Sequence, residues 1–519
     1  MNEDVTVKIQ NAVDEIGKSG GGILNFDIGK YNLNSLDEKT NIDINYSNIV
    51  IKGKGSGENG TVFHLHNHNL QENFPWLSKG IIYTGDNLFG TDSFSSPKLL
   101  NKKAEIIKDS KRGVDILYLS ETKHLKIGDC IIVAMYDDRD HSLINSLAGK
   151  YGIQEEWTDF LTCYERKAAP YQVLYEISEI TDTCIRIDRP LFIDIKTQYN
   201  PTGFEFPMLC NIGTESVRFE SSWDGGGYYH HKNMEVDYGW NGIIFHRVKN
   251  GYVKDISFHD FTQSVQLRDC KNISVNTINI HGTPGHYGVK CYSHTVDCLF
   301  SNVDIYSIIT HGVGVEGTVQ GNVYKDITFH NANTEIDLHG GGMPAYNLFE
   351  NIRNIAKISG GGGIPNMPHS GQGNVYWNCS FKPSPATKIN TYLDCEGIDE
   401  EVKRKRYHEL FHAWYLTIIK KYSGFWEHKI HCGSIVVGMQ GDCLINQSRD
   451  DRDDGFIYVE SLGKKVLSES LYEYQSERRT LLYESDFSKN FDDFVIDGNQ
   501  NCYVKENKID FELLEFDSI

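Results

Sequence analysis

The sequence predicts an all-β solenoid, a chain wound into stacked coils, and three observations predict it. The first is a repeat. Five segments share the pattern apolar–x–apolar–x: Ile243-Ile244-Phe245-His246, Val265-Gln266-Leu267-Arg268, Val289-Lys290-Cys291-Tyr292, Val313-Gly314-Val315-Glu316 and Ile336-Asp337-Leu338-His339. Their last residues lie 22, 24, 24 and 23 positions apart. Self-similarity at a fixed period of this length is the mark of a solenoid, and alternation with period two makes each segment a strand with one buried face. The second is a marker in the turns: Asn250, Asn272, Asp297, Asn322, Asn347 and Asn374 each precede an apolar strand. The third is an amphipathic stretch over residues 3–18, stopped by Gly20-Gly21-Gly22, which suits the cap that an open solenoid end needs.

Taken in order, residues 1–99 read as this cap and the first coils, with strand signals at 22–26, 48–52 and 62–65. Gly53-Lys54-Gly55-Ser56-Gly57 lacks the spacing of a phosphate loop and reads as a tight turn. Residues 100–197 break the period and form an inserted β-rich lobe, with strands at 115–119, 130–135, 174–180 and 184–187 and a polar helical stretch at 143–164. The main coils occupy 198–383. Residues 384–519 form a mixed helix and strand extension, with a helix at 401–422, a capping box at Ser470–Glu473 and an acidic tail.

Stacked in register, the Ile, Val, Leu, Phe and Cys side chains point inward. His246, Arg268, Tyr292, Glu316 and His339 then form one outward row, with Gln266, Lys290 and Asp337 beside it. Cations outnumber anions in this strip, although the chain carries a formal charge of −20. That overall charge argues against nucleic acid as a partner. No apolar run approaches the ~18 residues that span a bilayer. Met1-Asn2-Glu3-Asp4 has no basic-then-apolar signal pattern, so a cytoplasmic protein and a secreted one whose signal is absent from this chain both stay open. The 12 cysteines are scattered without a CxxC pair and are expected to be reduced core residues. The oligomeric state is open, with a homo-oligomer among the options.

The period, the alternating strands, the Asn-marked turns and the capping helix together resemble the right-handed parallel β-helix of the pectate-lyase-like superfamily, over about residues 3–383 with the insertion excepted. More narrowly, Gly239-Trp240-Asn241-Gly242, Gly282-Thr283-Pro284-Gly285-His286, Asp337-Leu338-His339-Gly340, Val459-Glu460-Ser461 and Ser470-Leu471-Tyr472-Glu473 resemble a subfamily of that fold known only as a domain of unknown function. The resemblance implies a polysaccharide or oligosaccharide, bound along the outer face of one parallel sheet. It implies no single activity, because the fold hosts lyases, hydrolases, epimerases and phage tailspikes.

Coils stack about 4.8 Å apart, so the strip spans only a few sugar lengths. It suits β-elimination of an acidic, uronate-containing polysaccharide, which needs a cation on the carboxylate, a base for the C5 proton and an acid for the departing oxygen. Arg268 is the natural clamp; Lys290 shares that role or acts as base; Tyr292 and His339 are base or acid candidates. His246, Gln266, His286, His311, Trp240 and Tyr346 are candidate substrate contacts, with His286 and His311 placed just before their strands. The alternative is a glycoside hydrolase or transglycosylase using Asp337 and Glu316, about 8 Å apart by strand spacing. A third reading is a non-catalytic glycan-binding module, which would need exposed aromatics such as Trp240, Tyr287, Tyr292 or Tyr346. No cofactor is predicted; calcium stays an option that the low acid count of the strip does not favour.

Overall fold

A computed structural model describes residues 4–36, 40–71, 75–85, 102–148, 169–230, 232–331, 334–360, 370–381, 434–441, 458–461, 463–467, 469–479, 490–496 and 502–510. Two long parallel sheets wind around one apolar core, giving the parallel β-helix. Among the described residues the smaller sheet has eight strands. Five of them carry the repeat: Asn241–His246, Gln263–Arg268, Gly285–Ser293, Ile309–Gly317 and Glu335–Gly341. Their register is the one the repeat spacing requires. His246 aligns with Arg268, Arg268 with Tyr292 and Tyr292 with Glu316, while Gln266, Lys290, Gly314 and Asp337 align in turn.

The larger sheet is folded along a line of left-handed corner residues. Asp255, Thr277, Asn302, Asp326 and Asn351 all have φ between 50° and 57°. Most are Asn or Asp, whose short polar side chains tolerate this conformation. The Asn markers occupy a second corner and divide into two kinds. Asn322, Asn347 and Asn374 are fully buried and form a side-chain ladder, each amide donating to the next Oδ1 at 3.1 and 3.2 Å. Asn250 and Asn272 sit at positive φ and share one bond. Asp297 instead accepts from Lys271 and Arg189.

Inside, Phe300, Tyr324, Phe349 and Tyr376 stack at 4.9, 5.2 and 5.0 Å, close to the coil spacing of about 4.8 Å. Cys270, Cys291, Cys298 and Cys379 are fully buried among these residues, and none of the cysteines with described side chains forms a disulfide. The helix Thr6–Lys18 lays Ile9, Val13 and Ile16 over the N-terminal opening.

Residues 102–205 include a separate six-stranded antiparallel sheet with its own apolar cluster. The lobe is tied to the coils by buried charge: Lys271 pairs with Asp188 at 2.6 Å and with Asp297, which also takes Arg189 at 2.6 Å. The helix expected at 143–164 is seen as Ser142–Ala148; its remainder lies outside the described residues. So does the expected helix at 401–422. The acidic tail is less peripheral than expected, since Asn490–Ile496 pairs in parallel with Gly22–Phe26 and continues the larger sheet.

Candidate active site

The rows form as the sequence spacing requires up to Glu316, where the register shifts and His339 is not its partner, and they do not lie on an open wall. Neighbouring segments lie against them: the carbonyl of Asp237, in the short helix Met234–Tyr238, accepts from Gln263 Nε2 at 2.9 Å, the carbonyl of Trp76 accepts from Arg268 at 3.0 Å, and Tyr83 lies on His246. His246, Arg268, Gln266, Lys290, Tyr292 and Asp337 are buried. The excess of positive charge expected in the strip is also offset. Lys290 pairs with Glu316 at 2.6 Å, Lys357 with Glu335 at 2.9 Å, and His246 faces Asp269 at 3.5 Å.

A third row, absent from the sequence reading, completes the cluster: Asn241, Gln263, Tyr287, His311 and Glu335. Strict alternation would send Tyr287 inward, since Val289 and Cys291 are inward. Gly288 breaks the phase: a Cβ there would lie 2.7 Å from the core side chain of Ile305, so both Gly288 and Val289 face the core. Gly242 and Gly312 face Phe258 and Phe329 in the same way. This column of small residues is the signal that a period-two reading overlooks. It places His286 and His311 within their strands rather than before them.

Asp337 is the centre of the cluster. It has no exposed surface; its Oδ2 accepts from the Tyr287 phenol at 2.6 Å and lies 2.9 Å from His339 Nδ1. Burial alone would favour the neutral acid, but His311, His339 and these hydrogen bonds hold the carboxyl well below its usual range. His339 is raised above the ordinary imidazole value: burial opposes its charge, and Glu316 and Asp337 outweigh it. Its side chain keeps 21% of its surface, the most of any group in this chain of contacts, and among the described residues Nε2 makes no hydrogen bond. Burial, reinforced by Glu316, raises Tyr292 well above the usual phenol value. Burial likewise pushes His311 well below the imidazole value, against the pull of Asp337. Lys290 Nζ sits 4.0 Å from the Tyr287 ring centre and 5.2 Å from that of Tyr292.

Lys290, Tyr292, Glu316, Asp337, His339, His286 and His311 are thus brought together. The other expected residues stand elsewhere. The Arg268 guanidinium is 1% exposed and committed to Gln266 Oε1 at 3.0 and 2.9 Å and to the Trp76 carbonyl at 3.0 Å, so a substrate carboxylate meets no open clamp there, and Gln266 is bound to the same purpose. Burial holds His246 neutral beneath Tyr83, against the pull of Asp269. Trp240 is a buried packing residue, with its Nε1 on Glu235 at 3.2 Å and Trp223 at 6.0 Å. Tyr346 lies at the junction with the lobe, stacked on Phe192 at 5.1 Å beside a cleft lined by Arg112, Tyr199 and Gln372. The two donor groups that converge among the described residues, His230 with His286 and His311, and His311 with Glu335 and Asp337, both contain imidazole. Calcium takes oxygen ligands, so neither group fits it.

A family model described as a domain of unknown function (DUF4955) matches residues 309–484. No curated protein matches the sequence. Among solved structures, the Gp54 tailspike of Acinetobacter baumannii bacteriophage AP22, in complex with A. baumannii capsular saccharide, is 13% identical, with a TM-score of 0.44 over 73% of this chain and 51% of its own. The tailspike gp49 from Pseudomonas phage LKA1 is 13% identical, with a TM-score of 0.42 over 72% of this chain and 56% of its own. The A-module of the Azotobacter vinelandii mannuronan C-5 epimerase AlgE6 is 10% identical, with a TM-score of 0.36 over 85% of this chain and 70% of its own. The chain spans about half the length of the tailspikes that it matches.

Proposed function

We propose that this chain is a carbohydrate-active enzyme that cleaves an acidic, uronate-containing polysaccharide by β-elimination. The observation that carries the reading is the Asp337–His339 pair. A buried, ionised carboxylate orients Nδ1 of an imidazole whose other nitrogen faces the least covered edge of the cluster. A fixed anion behind the ring stabilises the imidazolium that forms when the ring takes a proton, and a value raised above the ordinary one strengthens it as a base near neutrality.

In this reading His339 Nε2 removes the C5 proton of the uronate. The C4–O bond then breaks as the C4=C5 double bond forms, and the electron pair leaves with the glycosidic oxygen. Tyr292, kept protonated by burial, delivers a proton to that oxygen. Lys290 faces the substrate carboxylate and neutralises it, with Glu316 holding the ammonium in place. Tyr287 fixes Asp337 from the other side.

Two features weigh against hydrolysis by Asp337 and Glu316. Asp337 is held ionised, so it carries no proton to donate to a glycosidic oxygen. Glu316 is paired with Lys290. A binding module built on exposed aromatics is disfavoured because Trp240, Tyr287 and Tyr292 are buried. The test is incubation with a panel of polyuronates and neutral glycans, following ultraviolet absorbance of unsaturated sugars. Absorbance from one polyuronate supports elimination, and reducing ends from any glycan without absorbance would sink it.

A further inference from the structure

We propose that His230, His286 and His311 form a binding site for one zinc ion, immediately behind the Asp337–His339 pair. The three rings approach as a triangle, with centres 4.8, 5.0 and 5.2 Å apart, and each offers a nitrogen within 4.8 Å of the others. The Nε2 atoms of His230 and His286 stand 3.1 Å apart. Two nitrogens bound to one tetrahedral zinc at ~2.0–2.1 Å lie about 3.3 Å from each other, so this pair already has nearly the separation of two zinc ligands.

The surroundings of His286 and His311 orient their rings. His286 Nδ1 lies 3.2 Å from the carbonyl oxygen of Asp237, an acceptor only, so Nδ1 carries the hydrogen and Nε2 keeps its lone pair. His311 Nδ1 lies 2.6 Å from Glu335 Oε1 but out of hydrogen-bond alignment, and Nε2 is likewise buried without a hydrogen bond. A carbonyl behind one ring and a carboxylate behind another is the outer arrangement that metal-bound histidines use to fix tautomer and orientation. Glu335 is itself held by Lys357 at 2.9 Å.

Three imidazole nitrogens select among metals. Calcium and magnesium take oxygen ligands, whereas imidazole suits zinc and its first-row neighbours. The second group, His311 with Glu335 and Asp337, is a weaker candidate, since Lys357 occupies Glu335 while Tyr287 and His339 occupy Asp337. With three protein ligands the ion keeps a fourth position open, as in zinc sites that take water or a substrate oxygen. Tyr287, whose ring centre is 4.4 Å from that of His286 and 4.6 Å from that of His311, joins this site to Asp337. The site rests on its own geometry, independent of the elimination chemistry.

The experiment uses the full chain, stripped with a chelator and titrated with Zn²⁺ in a calorimeter, with Co²⁺ as a spectroscopic substitute. The expected result is one zinc per chain and the visible bands of tetrahedral Co²⁺. His230 is only partly buried, so His230→Ala tests the site with the least risk to folding. It should weaken zinc at least about 10–100-fold, the loss that even an outer-shell change typically causes. His330→Ala, an exposed histidine of the other sheet, should leave zinc binding unchanged. No binding to the wild-type chain, or equal binding by wild type and His230→Ala, overturns the proposal. Zinc binding without elimination, or elimination without zinc, separates this inference from the enzymatic reading.

Discussion

The Tyr287 hydroxyl donates to Asp337 Oδ2 at 2.6 Å although the two residues belong to strands separated by a third. The crossing is open because the intervening strand carries Gly314 between Lys290 and Asp337 in the row. A Cβ at Gly314 would fall 2.5 Å from the Tyr287 ring. Gly314→Ala should therefore push the phenol off Asp337 and destabilise the fold by about 1–3 kcal/mol, the usual range for overpacking. Chemical denaturation checks the stability, and a crystal structure of the variant checks the displaced ring. An unchanged midpoint with Tyr287 in place would refute the packing argument.

His339→Ala should lower the rate of polymer cleavage about 10²–10⁴-fold, the range for loss of a general base, with little change in unfolding midpoint because the ring is at the partly exposed edge. Steady-state kinetics beside thermal unfolding decide this; full activity in a folded variant removes His339 from the chemistry.

Asp337→Asn keeps the shape and removes the charge that helps raise His339. The His339 titration, followed by NMR, should move to lower pH, since desolvation then acts against fewer anions. A titration unmoved by the substitution would mean that Asp337 does not set the charge of the ring.

Acid should destabilise the coils through two histidines outside the site. Burial lowers both His64 and His259 from 6.5 to about 4. Between these values the unfolded chain binds more protons than the folded one, so stability is full above about pH 6.5 and erodes as pH falls toward 4. Glu220, lowered to about 2 against the effect of burial by its bonds to Arg218 and Lys30, adds a loss in the same direction below its ordinary value of 4.5. Denaturant titrations at several pH values should show this slope. Replacing His64 and His259 by Gln should flatten it, and a slope unchanged in that double variant would contradict the assignment.

The buried network that fastens the lobe predicts a large effect from one side chain. Lys271→Ala leaves Asp188 and Asp297 sharing Arg189 alone, and breaking a buried pair in this way typically costs about 3–5 kcal/mol. A loss under 1 kcal/mol by denaturation would show that water enters the junction freely.

The repeat made much of this architecture legible. Strand spacing fixed the alignment of His246, Arg268, Tyr292 and Glu316, because a one-residue slip would expose an entire apolar face. Burial was not legible. Nothing local in Arg268 shows that Trp76, 192 positions away, would supply its carbonyl, or that the Asp237 carbonyl would meet Gln263 and His286. The row of Tyr287, His311 and Glu335 was missed because Gly288 and Gly312 reverse the alternation, and a glycine carries no hydropathy signal strong enough to mark that change. His230 lies outside any strand, so periodicity had no means of placing it beside His286.

The most direct test of the central claim is the ratio of unsaturated ends to reducing ends released from one polyuronate by the wild-type chain and by His339→Ala. Elimination at His339 predicts one unsaturated end for each new reducing end, with both products lost together in the variant. Reducing ends released without ultraviolet absorbance would contradict it.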